Sequence, residues 1–190
     1  MCNHFALKHR SDAVVASLRI KVIENPPPRG EFFPKSPVAI ARDTDAGREL
    51  TGATWGIPLG NHQVVNFRDD KLHVWKRFMR RRVVLPLSYA VEWKYPIDMF
   101  GQPNGMPSRW KLFPADEGVG LVAGISDPAG HVSMMTCRAE GVAAEVHNKK
   151  PEDPRMVVFL TEPEDVDRWL DRDAGADDVL DLLKPPPEGW

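Results

Sequence analysis

Arg82-Val83-Val84-Leu85-Pro86-Leu87-Ser88-Tyr89-Ala90-Val91-Glu92-Trp93 is the stretch that decides the fold. It holds two short runs rich in β-branched and aromatic residues, residues 82–87 and 89–93. Neither is long enough for a helix, and Pro86 would break one. Both read as strands with a proline kink between them. Glu92 stands inside the second run. Strict alternation puts Val91 and Trp93 on the face opposite Glu92, which predicts an outward-facing carboxylate. The other reading is a carboxylate held for chemistry.

The same pattern recurs on both sides. Residues 38–42, 51–58, 62–67, 110–113, 120–125, 132–137 and 155–160 all read as short strands. Asp127-Pro128-Ala129-Gly130 predicts a tight turn that makes a hairpin of 120–125 and 132–137. Helical spacing appears at residues 11–22, with Ser11 or Asp12 as cap, and at 71–81. Thr161-Glu162-Pro163-Glu164 reads as a capping box before a short helix ending at Trp169-Leu170, and a last helix is predicted at 177–183. The fold class that follows is α+β, with one mostly antiparallel, barrel-like sheet and a few flanking helices. Residues 1–173 are expected to form the domain, with 174–190 as a C-terminal helix and proline-rich tail.

Composition sets limits. A chain of 190 residues can bury a full core, and 42% hydrophobic with 27% charged residues is globular usage. Eighteen prolines favour short strands and ordered connections over a helical bundle. A net charge of −2 excludes a general polyanion binder, so a nucleic-acid contact must be a local groove. Lys76, Arg77, Arg80 and Arg81 cluster on one predicted helix face and read as a solvated face or as such a contact. The two cysteines, Cys2 and Cys137, form no Cys-x-x-Cys pair, which argues against a zinc ribbon or a disulfide framework. No apolar run matches a membrane span or signal peptide, so a cytoplasmic location is expected.

The chain start, Met1-Cys2-Asn3-His4-Phe5, carries a distinct chemistry. Removal of Met1 would leave Cys2 with an α-amine and a thiol on one carbon frame. The amine condenses with an aldehyde to a Schiff base, and the thiol closes a thiazolidine ring. With an amine pKa near about 7.8 and a thiol pKa near about 8.5, both are partly reactive at neutral pH. A small residue after a start codon is the bland reading, and the start alone does not choose.

The order of the landmarks does. Met1-Cys2-Asn3, Pro34 to Arg42, Trp55-Gly56-Ile57-Pro58, Asn66-Phe67-Arg68, Arg82 to Pro86 followed by Glu92-Trp93, Ala123-Gly124-Ile125, and Val146-His147 with Arg155-Met156 run in one sequence. Their series resembles the SOS-response-associated peptidase family, also called abasic-site processing or SRAP proteins. The resemblance implies binding to single-stranded DNA that holds an abasic site. It further implies self-removal of Met1 and a covalent thiazolidine link from Cys2 to the ring-opened sugar. By the same resemblance Cys2, Asn66, Glu92 and His147 are the catalytic set: nucleophile, carboxamide, proton-shuttling carboxyl and imidazole. Arg68 and Arg155 would bind flanking phosphates, Trp55, Trp93 and Pro34 would stack on or wedge between bases, and Thr136 would line the groove. No metal or other cofactor is implied, no membrane, and a monomer is expected.

Departures from the family pattern are visible. His4 stands where an arginine is usual, Asp69-Asp70 follow Arg68, Ser126 replaces a tryptophan, and residues 148–154 separate His147 from Arg155. Two other readings compete. An N-terminal-nucleophile cysteine amidohydrolase would also open with Met-Cys, but leaves Glu92-Trp93 and His147 unexplained. A non-catalytic single-strand-binding module would keep the groove without the chemistry.

Overall fold

The computed structural model describes residues 3–20, 28–114 and 117–187. A four-stranded antiparallel sheet is built from β1 (Phe5–Leu7), β2 (Gly30–Phe32), β9 (Tyr89–Lys94) and β10 (Ser108–Leu112), in the order β10-β9-β1-β2. The larger sheet uses β3 (Pro37–Thr44), β4 (Gly47–Trp55), β8 (Arg82–Leu87), β11 (Gly120–Ser126) and β12 (His131–Arg138). Its pairing path runs β11-β8-β3-β4-β12, and β12 pairs back with β11. That ring is the barrel-like sheet the sequence predicts, and only the β12–β4 pairing within it is parallel. β5 (Ile57–Leu59) and β6 (His62–Val64) form a hairpin beside it. β7 (Asn66–Arg68) lies parallel to β12, and β13 (Arg155–Val157) antiparallel to it.

Pro86 sits inside β8, so the strands of the deciding stretch are 82–87 and 89–94 with Ser88 as the break. This break moves the chain from the ring to the four-stranded sheet. The Asp127–Gly130 turn joins β11 to β12 as expected, and Asp127 fixes it by accepting from the Ala129 and His131 amides at 2.9 and 2.8 Å. Gly124 occupies the middle of β11 between β8 and β12. A Cβ there would press on the Leu85 side chain and lie 3.0 Å from the Ser133 carbonyl. Gly124→Ala is therefore expected to cost about 1–3 kcal/mol by overpacking, read as a lower urea midpoint with an unchanged slope.

Four helical expectations change. α1 (Ser11–Leu18) ends at Arg19, whose φ of 53° is left-handed, short of the predicted end at Val22; residues 21 and 22 lie outside the described ones. Its cap position is Arg10, so neither Ser11 nor Asp12 caps it. Residues 69–78 form short 3₁₀ and α turns, with α2 limited to Leu72–Trp75, because none of residues 69–78 is buried and Met79 is the first that is. α3 is Gly141–Val146, and α4 (Pro163–Leu170) starts after Glu162 without a side-chain cap, so the Thr161 capping box does not form. The last helical segment, Asp177–Leu182, is 3₁₀, and Val179, Leu182 and Leu183 join the central core with Trp55, Phe67 and Trp169. Among the described residues no helix is long and apolar enough to cross a membrane.

Candidate active site

Glu92 overturns the alternation argument. It is 4% exposed, while Trp93 is 39% exposed. Pairing sets the faces: Glu92 stands opposite Trp110 and shares its face with Ala90 and Leu112, which turns inward. The carboxyl lines a cavity of about 720 Å³ whose walls include Ala90, Leu112, Val142, Val157 and Phe159. Burial among these apolar groups pushes its pKa up to about 7, against the pull of the positively charged amino terminus. Glu92 is thus half protonated near neutral pH, the condition for giving and taking a proton in one cycle.

His147 ends α3 and is 9% exposed. The Arg155 backbone amide donates to its Nδ1 at 2.8 Å. A backbone N–H can only donate, so Nδ1 is the bare nitrogen and the proton sits on Nε2. Burial, together with the amino-terminal charge, lowers the pKa to about 4, which keeps the ring neutral with Nε2–H as a donor. The next residue fixes the height of the helix end. Asn148 Oδ1 accepts from the Tyr95 amide and its Nδ2 donates to the Tyr95 carbonyl, both at 2.8 Å. This amide clamp ties the end of α3 to the end of β9, the strand that carries Glu92.

Asn66 opens β7 and is 8% exposed. Three side chains dock that strand: Trp55 Nε1 donates to the Val65 carbonyl at 3.2 Å, Thr136 Oγ1 to the Phe67 carbonyl at 3.0 Å, and Ser133 Oγ to the Val64 carbonyl. Arg155 donates from Nη2 to the Thr136 carbonyl at 2.8 Å. One bonded route therefore runs from the segment holding Asn66, through Thr136 and Arg155, to His147. The fourth member of the predicted set, Cys2, lies outside the described residues, as does Met1. Cys137 is buried, and burial pushes its thiol up to about 12, so it stays protonated and unreactive.

The predicted DNA contacts divide. Pro34 and Trp93 are exposed and free to meet a base. Trp55 and Thr136 are both fully buried, and Trp55 meets Phe5 edge-on at 4.8 Å. Neither can reach a ligand, because both brace β7 from inside. Arg155 is 4% exposed and pairs with Asp69. Arg68 is held in a fork by Asp70 at 2.8 and 2.7 Å and by Asp153 at 2.6 Å. Two arginines face three aspartates in this cluster, so it offers no net positive charge to phosphate. Asp69, Asp70 and the inserted Asp153 are the sequence departures that produce this. His4 is also enclosed: its ring stacks on Phe33 at 4.2 Å and its Nε2 lies 2.8 Å from Glu31 Oε2. Neither Asn148 nor Asp153 was singled out from sequence, since each belongs to an insertion with no motif.

The family model described as SOS response associated peptidase (SRAP) matches residues 1–189. The chain belongs to this family. A comparison with curated proteins gives no match. Among solved structures, this SRAP chain is similar to a protein from Bacteroides thetaiotaomicron, with TM-score 0.78 and 18% identity over 98% of this chain and 88% of that one. It is also similar to a phage-related protein from Bordetella bronchiseptica, with TM-score 0.76 and 20% identity over 96% and 87% of the two chains. A second Bordetella bronchiseptica protein gives TM-score 0.77 and 20% identity over 98% and 95%. At these identities the likeness is one of fold. In this chain the buried carboxyl, carboxamide and imidazole stand on β9, β7 and the end of α3.

Proposed function

We propose that this SRAP protein processes abasic sites: it binds single-stranded DNA and traps the open-chain sugar of the lesion as a thiazolidine on Cys2, after hydrolysis of the Met1–Cys2 peptide bond. The supporting observation is the pair of buried, oppositely tuned groups, Glu92 near pKa 7 and neutral His147, both acted on by the amino-terminal charge. Such a pair suits acid–base work on a reaction at the chain start.

The steps divide as follows. As the hemiacetal opens to the aldehyde, the C1 hydroxyl proton passes through water to the ring oxygen, while neutral His147 holds that oxygen with an Nε2–H hydrogen bond and keeps its own proton. The Cys2 amine adds to the aldehyde carbon. Protonated Glu92 gives its proton to the resulting hydroxyl, which leaves as water, and the Schiff base remains. The Cys2 sulfur then adds to the same carbon, and the Glu92 carboxylate takes up the thiol proton. The Asn66 carboxamide orients amine or sugar without adding charge. Net chemistry is aldehyde plus aminothiol to thiazolidine plus one water.

The test is incubation with a single-stranded oligonucleotide carrying an abasic site, followed by denaturing electrophoresis. A heat-stable band of higher mass is expected for the wild type and for Cys137→Ala, and none for Cys2→Ala. Intact mass is expected to show loss of Met1. Reversible retention without a band would favour a binding module, and glutamine hydrolysis would favour the amidohydrolase.

A further inference from the structure

If both arginines at the lesion site are neutralised by aspartates, affinity for a polyanion must come from elsewhere. The outer face of the four-stranded sheet supplies it. Tyr89 lies there on the opposite face from Glu92, only 2% exposed, within a small core of its own with Ala6 and Val91. Two ammonium groups converge on its ring: Lys111 Nζ at 4.8 Å and Lys8 Nζ at 5.4 Å from the centroid. Phe113 packs on the same ring at 5.1 Å and is 46% exposed. Two ammonium groups against one ring put two positive charges on this face, a setting that suits an anion.

The acid nearest this face is already answered. Glu31 accepts from Tyr89 Oη at 2.9 Å and pairs with Arg109 at 2.9 Å. Among the described residues neither Lys8 nor Lys111 forms an ion pair, and both ammonium groups lie against the Tyr89 ring. Trp93 is on the same face, opposite Arg109 in the register. Tyr89 and Trp93 are four residues apart on β9, about 13 Å at strand spacing. That distance is roughly four stacked nucleotides of one strand, fewer if the strand is extended.

We propose that Lys8, Lys111 and Phe113 form a single-stranded DNA subsite on the outer face of this sheet, continuing the strand's path from Trp93. The two lysines hold a backbone phosphate, and the exposed Phe113 ring stacks on a neighbouring base. This rests on the abasic-site reading above and adds to it where the strand runs beyond the lesion.

The test compares the wild type with the Lys8→Ala/Lys111→Ala double variant, with Phe113→Ala, and with Lys184→Ala as an exposed-lysine control away from this face. Binding of a thymidine oligonucleotide of roughly 15 nucleotides is measured against salt, and crosslinking of an abasic oligonucleotide is measured in parallel. The double variant is expected to bind about tenfold more weakly, with a log–log salt slope shallower by about 0.7, the value for one phosphate contact on a single strand. Phe113→Ala is expected to weaken binding with an unchanged slope, and Lys184→Ala to match the wild type. Wild-type slope and affinity in the double variant, with wild-type crosslinking intact, would overturn the subsite and leave the function standing. Absence of both binding and crosslinking in the wild type would remove both. Self-association of the wild type that the double variant abolishes, without change in DNA binding, would assign the face to a second copy and also overturn the subsite.

Discussion

Glu92→Gln is expected to slow thiazolidine formation by about 100-fold or more while making the protein more stable above neutral pH. Both effects have one source. The carboxyl is held among apolar walls that raise its pKa from 4.5 to about 7. In the unfolded chain the group ionises near 4.5, so between 4.5 and 7 the folded state binds more protons than the unfolded one. Stability from this group is full below pH 4.5 and falls as pH rises to about 7. The loss is about 3 kcal/mol at 1.36 kcal/mol per pH unit. Glutamine keeps the shape, cannot ionise and cannot shuttle a proton.

His147 has the opposite sign. Its pKa falls from 6.5 to about 4 on folding, so its contribution is full above 6.5 and is lost as pH drops to about 4. In the wild type the two slopes oppose each other between pH 4.5 and 6.5, and stability is expected to be nearly flat there. In Glu92→Gln the His147 slope stands alone, and stability is expected to rise across that window. Urea denaturation across the range, beside single-turnover crosslinking, reads both effects. A variant that crosslinks at the wild-type rate, or whose stability runs parallel to the wild type, would count against Glu92 as the buried proton shuttle.

The second large effect is structural. Arg82→Met is expected to lower stability by about 3–5 kcal/mol, equivalent to roughly 10 °C in Tm for a chain of this size. Arg82 is buried at the start of β8 and donates only to main-chain carbonyls. Nε reaches Trp169 at 2.6 Å, Nη1 reaches Met79 at 2.7 Å, and Nη2 reaches Ala174 at 2.9 Å and also Asp171. One guanidinium thus anchors the end of α4 and the following loop to the ring. Methionine fills much of the volume but leaves four carbonyls short of a donor. The crosslinking rate per folded molecule is expected to stay unchanged, since Arg82 lies on the far side of β8 from β9. A thermal melt within 2 °C of wild type, on the same scale, would show that the segment is held by packing of Val179, Leu182 and Leu183 alone.

Legibility differed by residue type. Asn66, Glu92 and His147 were legible only through the motifs that carry the family resemblance, whose order along the chain is readable. Trp55 and Arg155 stand in motifs of the same series, and Thr136 was read with them as a DNA contact, yet all three face inward and brace the segments that hold Asn66 and His147. Motif membership is one-dimensional and does not say whether a residue touches the ligand or the residue that touches it. Glu92 shows the converse. Alternation turned it to solvent, and only the pairing of β9 with β1 and β10, plus the cover from α3, turned it inward.

The sequence alone determined the strand-rich α+β class, the hairpin at Asp127–Gly130, the family and the order of the polar landmarks. These depend on local pattern: period-two hydrophobicity, turn residues and spacing. Only the tertiary structure decided which face of β9 is dry, that Nδ1 of His147 is an acceptor, that Asp69, Asp70 and Asp153 neutralise Arg68 and Arg155, and that Lys8 and Lys111 both lie against the Tyr89 ring. Each of these depends on partners far apart in the chain, and burial, tautomer and net local charge are properties of what surrounds a group once the chain has closed around it.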